Sequence, residues 1–306
     1  MIKPLLSIII VSYNTAEITL NCLKSIFTDK NLEFDLTVTD TSLKIPTELI
    51  VIDNYSTDKT LEQINQLNHP VKIITNQKNV GFSQANNQGL KLAQGNFILF
   101  LNSDTIILHS AISQSLDWLS SHPESYGCTA QLLNSDKTIQ PSGGYFPNLL
   151  NTFTWCLGLD DLPFVNQIIK PLHPHSPTFY TRDHFYLHDH PQDWITGAFI
   201  LIRKNILDEV GGFDSAYFMY GEELEMFYRI HRRHPSSSLW YLVGPQIIHL
   251  GGASQNNKLQ IFEREYQGIL HFFQKHRSST ETKIVAFLLK INRLLRATIY
   301  PIFNHA

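Results

Sequence analysis

The chain is poor in cysteine, in net charge and in long apolar runs, and each shortage excludes something. Its three cysteines, Cys22, Cys128 and Cys156, lie far apart with no CxxC spacing. They offer neither a zinc-ligand set nor a disulfide framework. A reducing cytoplasm is the setting expected from them. The formal net charge is only −3 over 306 residues, so no bulk field points to nucleic acid. The apolar stretch Leu5 to Val11 is too short to span a bilayer. It lacks a cleavage site and runs into polar Ser12-Tyr13-Asn14, so it reads as a buried strand rather than a signal peptide. No repeat or low-complexity block occurs. Also missing is a GxGxxG after the first strand, where the text is Ser12-Tyr13-Asn14-Thr15-Ala16-Glu17. That absence argues against a dinucleotide-binding oxidoreductase.

What is present is a globular composition, 43% hydrophobic, with strand and helix patterns in alternation. Leu5–Ser12 predicts a strand buried on both faces. Asn14 is placed to cap a helix with apolar positions Ile18, Cys22, Leu23 and Ile26. Residues 29–47 read as an irregular insertion. Strands are predicted at Glu48–Asp53, Val71–Thr75 and Phe97–Leu101. A helix capped by Ser56 or Thr57 follows the first of these, and Phe82–Ala93 is a second helix. This β-α-β-α order predicts a doubly wound, mostly parallel α/β sheet with flanking helices. The stretch from Gly144 to Gln192, rich in Pro, His and aromatics, reads as a lid or acceptor wall beside the core. Ala198–Arg203 predicts a strand, Lys204–Val210 a helix stopped by Gly211-Gly212, Glu222–His234 a helix and Leu239–Val243 a strand.

In such sheets ligands bind beyond the carboxyl ends of the strands. Ser12, Tyr13, Asn14, Asp53, Asn102 and Asp104 all fall there. A carboxylate in Asn102-Ser103-Asp104 suits a hard divalent cation, unless it only closes the strand with an Asx turn. Asp53 can accept a hydrogen bond from a base edge or a ribose hydroxyl. Glu222 and Glu223 are adjacent and point about 100° apart on a helix; one can face the crevice as a general base, or both can serve the helix N-terminus. His249, before Gly251-Gly252, is either a core histidine or a cation ligand suited more to Mn²⁺ than to Mg²⁺. Trp194 can stack on a sugar or fill core, and Gly197 permits close backbone approach.

These residues together resemble the family-2 inverting glycosyltransferases of the GT-A fold, in their rhamnosyltransferase-like branch. The resemblance rests on Ile9-Ile10-Val11-Ser12-Tyr13-Asn14, Val51-Ile52-Asp53-Asn54, Asn79-Val80-Gly81-Phe82, Ala85-Asn86-Asn87 and Leu101-Asn102-Ser103-Asp104. Further on come Trp194 with Gly197-Ala198, Gly211-Gly212-Phe213-Asp214, Tyr220-Gly221-Glu222-Glu223 with Arg229, and His249 with Gly251-Gly252 and Ser254. It spans roughly residues 4 to 277.

The resemblance implies a nucleotide-diphosphate sugar donor, bound by Ser12, Tyr13, Asn14, Asp53, Asn86, Asn102, Asp104 and Gly197. It implies a divalent cation, Mg²⁺ or Mn²⁺, on Asp104 and His249, and a glycan or lipid-linked acceptor against Trp194. Glu223 stands where the family has its base, with Glu222 as the alternative. Rhamnose is the sugar this branch favours. Asn102 and Glu223 each replace the Asp of the stricter family pattern, which leaves a catalytically silent nucleotide- or glycan-binding protein as the alternative.

The expected organisation is a catalytic domain over residues 1–277, with a donor half at 1–143 and an acceptor half at 144–277, and a tail at 278–306. From Lys258 onward, eight Lys and Arg face three Glu, a local net of +5, so the rest carries −8. Lys283–Phe303 is apolar with Lys290, Arg293 and Arg296 at three-residue spacing. It predicts an amphipathic helix that lies on an anionic membrane surface, at the inner face of the cell membrane, or packs on protein, including a homodimer partner.

Overall fold

A computed structural model of the chain describes residues 2–37, 44–160, 162, 164–174, 185–251 and 258–303, without the side chains of 258–260 and 297–303. The expected strand at the start is β1 (Leu6–Ser12), and Ile8, Ile9 and Ile10 are all fully buried. Burial on both faces is what a continuous apolar run selects. Leu6, Ile8 and Ile10 pack in one core with Cys22, Leu23 and Ile26 of α1 (Ala16–Ile26). Ile9 and Val11 pack in the other.

Asn14 does not cap α1. The helix starts after Thr15, and Asn14 instead has a left-handed φ of 52°. Its side-chain oxygen accepts from the Thr57 backbone N–H at 2.7 Å. Asp58, from the next strand–helix loop, accepts the Ala16 N–H at 3.0 Å. The 29–47 region holds more order than its polarity suggests, with β2 (Leu32–Glu33) and the start of β3 (Ile45–Asp53); residues 38–43 lie outside the description. Nor do Ser56 and Thr57 cap the helix after β3, because α2 (Thr60–Asn65) begins after Lys59. They tie this loop to Asn14 and Asp53 instead.

β4 (Lys72–Thr75), α3 (Phe82–Leu92) and β5 (Phe97–Asn102) fall where expected. A Cβ on Gly89 would come within 2.5 Å of Ile9 Cγ2, so glycine there lets α3 lie directly on β1. β1 pairs in parallel with β3, Ser12 opposite Asp53, and with β5, Val11 opposite Asn102. The carboxyl ends of these strands therefore share one rim.

Beyond β5 come β6 (Thr105–Ile107), α4 (Ala111–Ser121), β7 (Ser125–Leu133) and β8 (Ile139–Gln140). β7 is buried along its whole length, yet its text, Ser-Tyr-Gly-Cys-Thr-Ala-Gln-Leu-Leu, carries no apolar run. Gln131 there is satisfied on both ends, donating to the Tyr186 carbonyl at 2.8 Å and accepting from the Gln246 amide at 2.7 Å. The stretch from Gly144 to Gln192 contains α5 (Leu149–Cys156), α6 (Val165–Ile168) and β9 (His190–Gln192); residues 161, 163 and 175–184 lie outside the description. Then follow β10 (Phe199–Arg203), α7 (Lys204–Val210), α8 (Glu222–Arg233), β11 (Ser238–His249), α9 (Lys258–His276) and α10 (Ser279–Phe303).

The main sheet runs β2-β3-β1-β5-β10-β7-β11-β6, with β4, β8 and β9 attached to β3, β7 and β11. β10 is antiparallel to both its neighbours, while β7 and β11 are parallel to each other. The sheet is thus mostly parallel through its long strands, with β10 reversed at its centre and the short strands β6, β8 and β9 antiparallel to their partners.

The tail helix α10 is anchored through Val285, Leu288, Leu289 and Asn292, all buried. Asn292 donates to the Cys156 carbonyl and accepts from the Tyr266 hydroxyl. Lys290 and Arg293 are exposed as expected. Arg296 departs from that face and lies over the rings of Trp155 and Phe262, 5.8 and 4.5 Å from their centroids. No described helix is long and apolar enough to cross a membrane.

Candidate active site

A cavity of about 980 Å³ opens where the strand ends meet. It brings together Tyr13, Asn102, Asp104, Trp194, Gly197, Glu222, Glu223 and His249. Strand alternation decides which rim residues reach it. Val11 and Tyr13 share the Ile9 face of β1 and line the cavity, whereas Ser12 points to the α1 side. There the Ser12 hydroxyl is fully buried against those of Thr19 (2.8 Å) and Thr15 (3.2 Å). The same alternation puts Asn54 rather than Asp53 on the cavity wall. Asn86 also falls outside it, buried in α3 and donating to the Phe82 carbonyl. Asn14 is exposed and occupied with Thr57.

Asp53 accepts the Ser56 N–H at 3.1 Å through Oδ2, and its Oδ1 is buried without a partner. An unpaired buried carboxylate oxygen is costly unless a ligand completes it. Asn54, missed as a site residue, is locked by Val80 N–H and Asn76 Nδ2 on its oxygen (both 3.0 Å) and by Asn79 on its amide (2.9 Å).

His249 reaches the rim because β11 pairs antiparallel with β6, placing it opposite Thr105. Its Nε2 lies 3.3 Å from Asp104 Oδ1 and 3.4 Å from Asn102 Nδ2. Gln140 sets the tautomer. Its amide NH₂ is spent on Asn134 Oδ1 (2.9 Å) and the His249 carbonyl (3.2 Å). Its oxygen therefore accepts the His249 Nδ1–H at 2.6 Å. In the neutral ring Nε2 then carries a lone pair beside a carboxylate, a pair of donors that a shared cation would satisfy. Asp104 and His249 would supply two ligands to such a cation. Among the described residues no group of three or more His, Cys, Asp or Glu is placed to hold a cation, so a cation here would need its remaining ligands from substrate or solvent. Nothing in the two-residue strand β8 marks Gln140 in the sequence. Gly252 and Ser254 lie outside the described residues.

The opposite wall is the start of α8. Tyr220 (φ 75°) and Gly221 (φ 92°) are both left-handed, a sharp turn that glycine makes affordable and that aims Glu222 and Glu223 at the cavity. Glu223 Oε1 accepts the Gly197 N–H at 3.2 Å, which ties α8 to the approach of β10. Oε2 of each glutamate is buried without a partner. Burial pushes both carboxyls upward from their ordinary range, Glu222 well above it, and the neighbouring Glu223 charge adds to the rise at Glu222. Of two coupled buried carboxyls, one keeps its proton. Backbone N–H groups, those of Gly197 and Gly221 among them, favour the charged form of Glu223, so of the two it is the better placed to carry the charge.

Trp194 serves cavity and core at once: it is 8% exposed and donates its indole N–H to the Tyr145 carbonyl at 3.2 Å. The thiols are not nucleophiles. All three are buried, and burial pushes Cys22 and Cys156 up to about 12 and raises Cys128 as well.

Comparison with known proteins identifies the family and the fold. The family model "Glycosyl transferase family 2" matches residues 7–211. An N-acetylglucosaminyl-diphospho-decaprenol L-rhamnosyltransferase of Mycobacterium tuberculosis is 24% identical over 217 residues, 67% of this chain and 66% of its own length. The rhamnosyltransferase WbbL of Escherichia coli K12 is 26% identical over 140 residues, 45% of this chain and 47% of WbbL. The chain thus spans just under two thirds of the first and about half of the second. Among solved structures, GalNAc-T7 with UDP, GalNAc and Mn²⁺ superposes with a TM-score of 0.60 at 16% identity, over 89% of this chain and 48% of that one. That likeness is of fold, the GT-A arrangement.

Proposed function

The chain belongs to glycosyl transferase family 2, in its rhamnosyltransferase-like branch, and from that premise we propose that it moves a sugar, rhamnose in our reading, from a nucleotide-diphosphate donor to an acceptor hydroxyl with inversion, in cell-surface polysaccharide synthesis. The observation that carries this reading is the pairing of Asp104 with a tautomer-fixed His249 across one cavity from a buried glutamate pair.

In this reading the donor base and ribose lie against Tyr13 and Asn54, with the open Asp53 oxygen beside them. Asn102 faces the diphosphate. A divalent cation on Asp104 and His249, Mn²⁺ or Mg²⁺, would supply positive charge against the departing diphosphate. Glu223 is the base. Its Oε1 is held by Gly197, and its free Oε2 takes the acceptor's proton as that hydroxyl attacks the anomeric carbon from the face opposite the leaving group. Trp194 packs on the acceptor sugar. The acceptor is a glycan or a lipid-linked saccharide. The outer face of α10, with Ile284, Phe287 and Leu294 exposed between Lys283, Lys290 and Arg293, rests on an anionic membrane surface.

A thermal-shift screen of nucleoside diphosphates and nucleotide sugars, with and without Mn²⁺ or Mg²⁺, tests the donor reading. A ligand at a hundred times its Kd stabilises by about 2.7 kcal/mol. Stabilisation by a pyrimidine nucleotide that needs both the cation and Asp104 is expected. Equal stabilisation in D104A would remove the assignment, and a folded protein that responds to no donor would remove the reading.

A further inference from the structure

The glutamate pair is aimed by a turn, and the turn rests on α9. Four residues of α9, Arg264, Gly268, His271 and Lys275, follow one another at spacings of four, three and four, so they share one helix face. That face meets the segment from Asp214 to Glu225 along its length. Arg264 lies over the Phe218 ring, 4.9 Å from its centroid. His271 meets the Tyr217 ring edge-on at 4.7 Å. Lys275 bridges Asp214 at 2.6 Å and Glu225 at 2.8 Å. Between these contacts, against Tyr220 and Gly221, the stripe carries a glycine. Glycine inside a helix lowers its stability relative to alanine, and here close approach requires it. A Cβ on Gly268 would collide with the Tyr220 carbonyl oxygen and stand 3.5 Å from Gly221 Cα. The fit is reciprocal, because a Cβ on Gly221 would stand 3.2 Å from Gly268 Cα. Backbone therefore lies directly on backbone where the chain turns into α8.

Both sides of this contact are held. Phe272 and Phe273 of α9 are fully buried in the core, which fixes the helix. Phe218 is fixed ahead of the turn, its carbonyl accepting the Phe82 N–H at 2.7 Å. Tyr220 is the soft member, since a non-glycine residue at φ 75° occupies a sparsely populated conformation. Bulk added at position 268 is therefore passed forward, to Glu222 and Glu223. We propose that Gly268 is a positioning residue for the glutamate pair: its missing side chain seats α9 on the Tyr220–Gly221 turn, and that seat sets the direction of Glu223 toward Gly197 and the cavity. The inference rests on the reading of Glu223 as the base. It gives Gly268 a part in the transfer step although this residue touches no reacting atom.

The test compares Gly268→Ala with Gln267→Ala, at an exposed neighbour on the same helix, in the full chain. The first readout is hydrogen exchange at the Gly197 amide, whose N–H is bonded to Glu223 Oε1; it needs no substrate. Gly268→Ala should raise that rate by about tenfold while the amides of Phe272 and Phe273 stay as protected as in the wild type. Gln267→Ala should leave it unchanged. The second readout is steady-state release of nucleoside diphosphate. Gly268→Ala should lower kcat by about tenfold to a hundredfold and hold both the donor's KM and the Mn²⁺-dependent nucleotide stabilisation, a split that general loosening of the fold would not give. An unchanged Gly197 rate in Gly268→Ala, or an equal rise in Gln267→Ala, would overturn the proposal. Faster exchange with undiminished kcat would support the seat and remove Glu223 as the base. A wild type that turns over no donor would remove the transfer reading, and the exchange rate would still decide the seat. Should Gly268→Ala fail to fold, Lys275→Met releases α9 from Asp214 and Glu225 without adding volume. It should raise the same exchange rate, and an unchanged rate there would sink the proposal.

Discussion

Replacing Glu223 by Gln keeps the volume and removes the base. Oε1 still accepts the Gly197 N–H, now into an amide oxygen, so the geometry that links α8 to the start of β10 survives. What disappears is a buried carboxylate whose Oε2 has no partner. A positioned general base contributes about 10²- to 10⁴-fold, equivalent to roughly 3–5 kcal/mol of barrier at about 1.36 kcal/mol per decade. The variant should therefore lose that factor in kcat with little change in the donor's KM. Its melting temperature should hold or rise, because burial disfavours the charge that is removed. Glu222→Gln should differ. Burial and the neighbouring Glu223 charge favour the protonated form of Glu222, so its loss should cost kcat less than about tenfold. Removing that coupled neighbour should also shift the acid limb of the pH–rate profile. That limb itself should lie above the ordinary carboxylate range, since burial raises Glu223. Release of nucleoside diphosphate from the stabilising donor, followed from pH 4 to 9 on both variants, is the assay. A Glu223→Gln enzyme that keeps more than a tenth of wild-type kcat, or a Glu222→Gln enzyme that loses more than its neighbour, would refute the assignment.

Three further outcomes follow from packing and charge. Gln140→Leu leaves the His249 Nδ1–H without its acceptor and should weaken Mn²⁺-dependent nucleotide stabilisation about 10- to 100-fold; Gln140→Glu should retain most of it, and an unchanged Mn²⁺ titration in the Leu variant would discard the tautomer argument. Glu225 is buried among His276, Arg229 and Lys275; against the upward push of burial, their hydrogen bonds and charges hold it at about 2 instead of 4.5. The folded state thus binds this proton less readily than the unfolded chain, so the stabilisation, on the order of 3 kcal/mol, is complete above about pH 4.5 and is lost as pH falls toward 2. Denaturant melts of wild type and E225Q across that range should converge toward the acid end, and a constant gap would contradict the network. Phe287→Ser with Leu294→Ser, at positions 63% and 68% exposed, should leave the melting temperature in place and abolish cosedimentation with phosphatidylglycerol vesicles; full retention would end the membrane reading.

Much of this was legible in the sequence because a strand buried on both faces needs an unbroken apolar run, and β1, β5 and β10 have one. Other elements gave no such signal. β7 is a central strand rich in small and polar residues, and one of them, Gln131, is held there by the Tyr186 carbonyl from a distant part of the chain. Asn14, Ser56 and Thr57 have the chemistry of helix caps, but the two loops use them on each other, a preference for local turns that propensity alone does not separate from capping. By itself the sequence determined the parallel α/β class, the strand ends that bear polar residues, and the chemical types available there: carboxylates, an imidazole and an adjacent glutamate pair.

Only the tertiary structure decided which of those side chains meet. Pleat phase turned Tyr13 and Asn54 to the cavity and Ser12 away from it, a choice fixed by which face of β1 packs on α1. The β11–β6 register brought His249 to Asp104, and a bond from β8 fixed its tautomer. Two left-handed residues aimed the glutamates, and the packing of α10 on α5 carried Arg296 from the surface into the cleft. Periodicity records which residues are apolar along one element. It does not record which other element that face will meet, because long-range pairing is settled by the packing of the whole core.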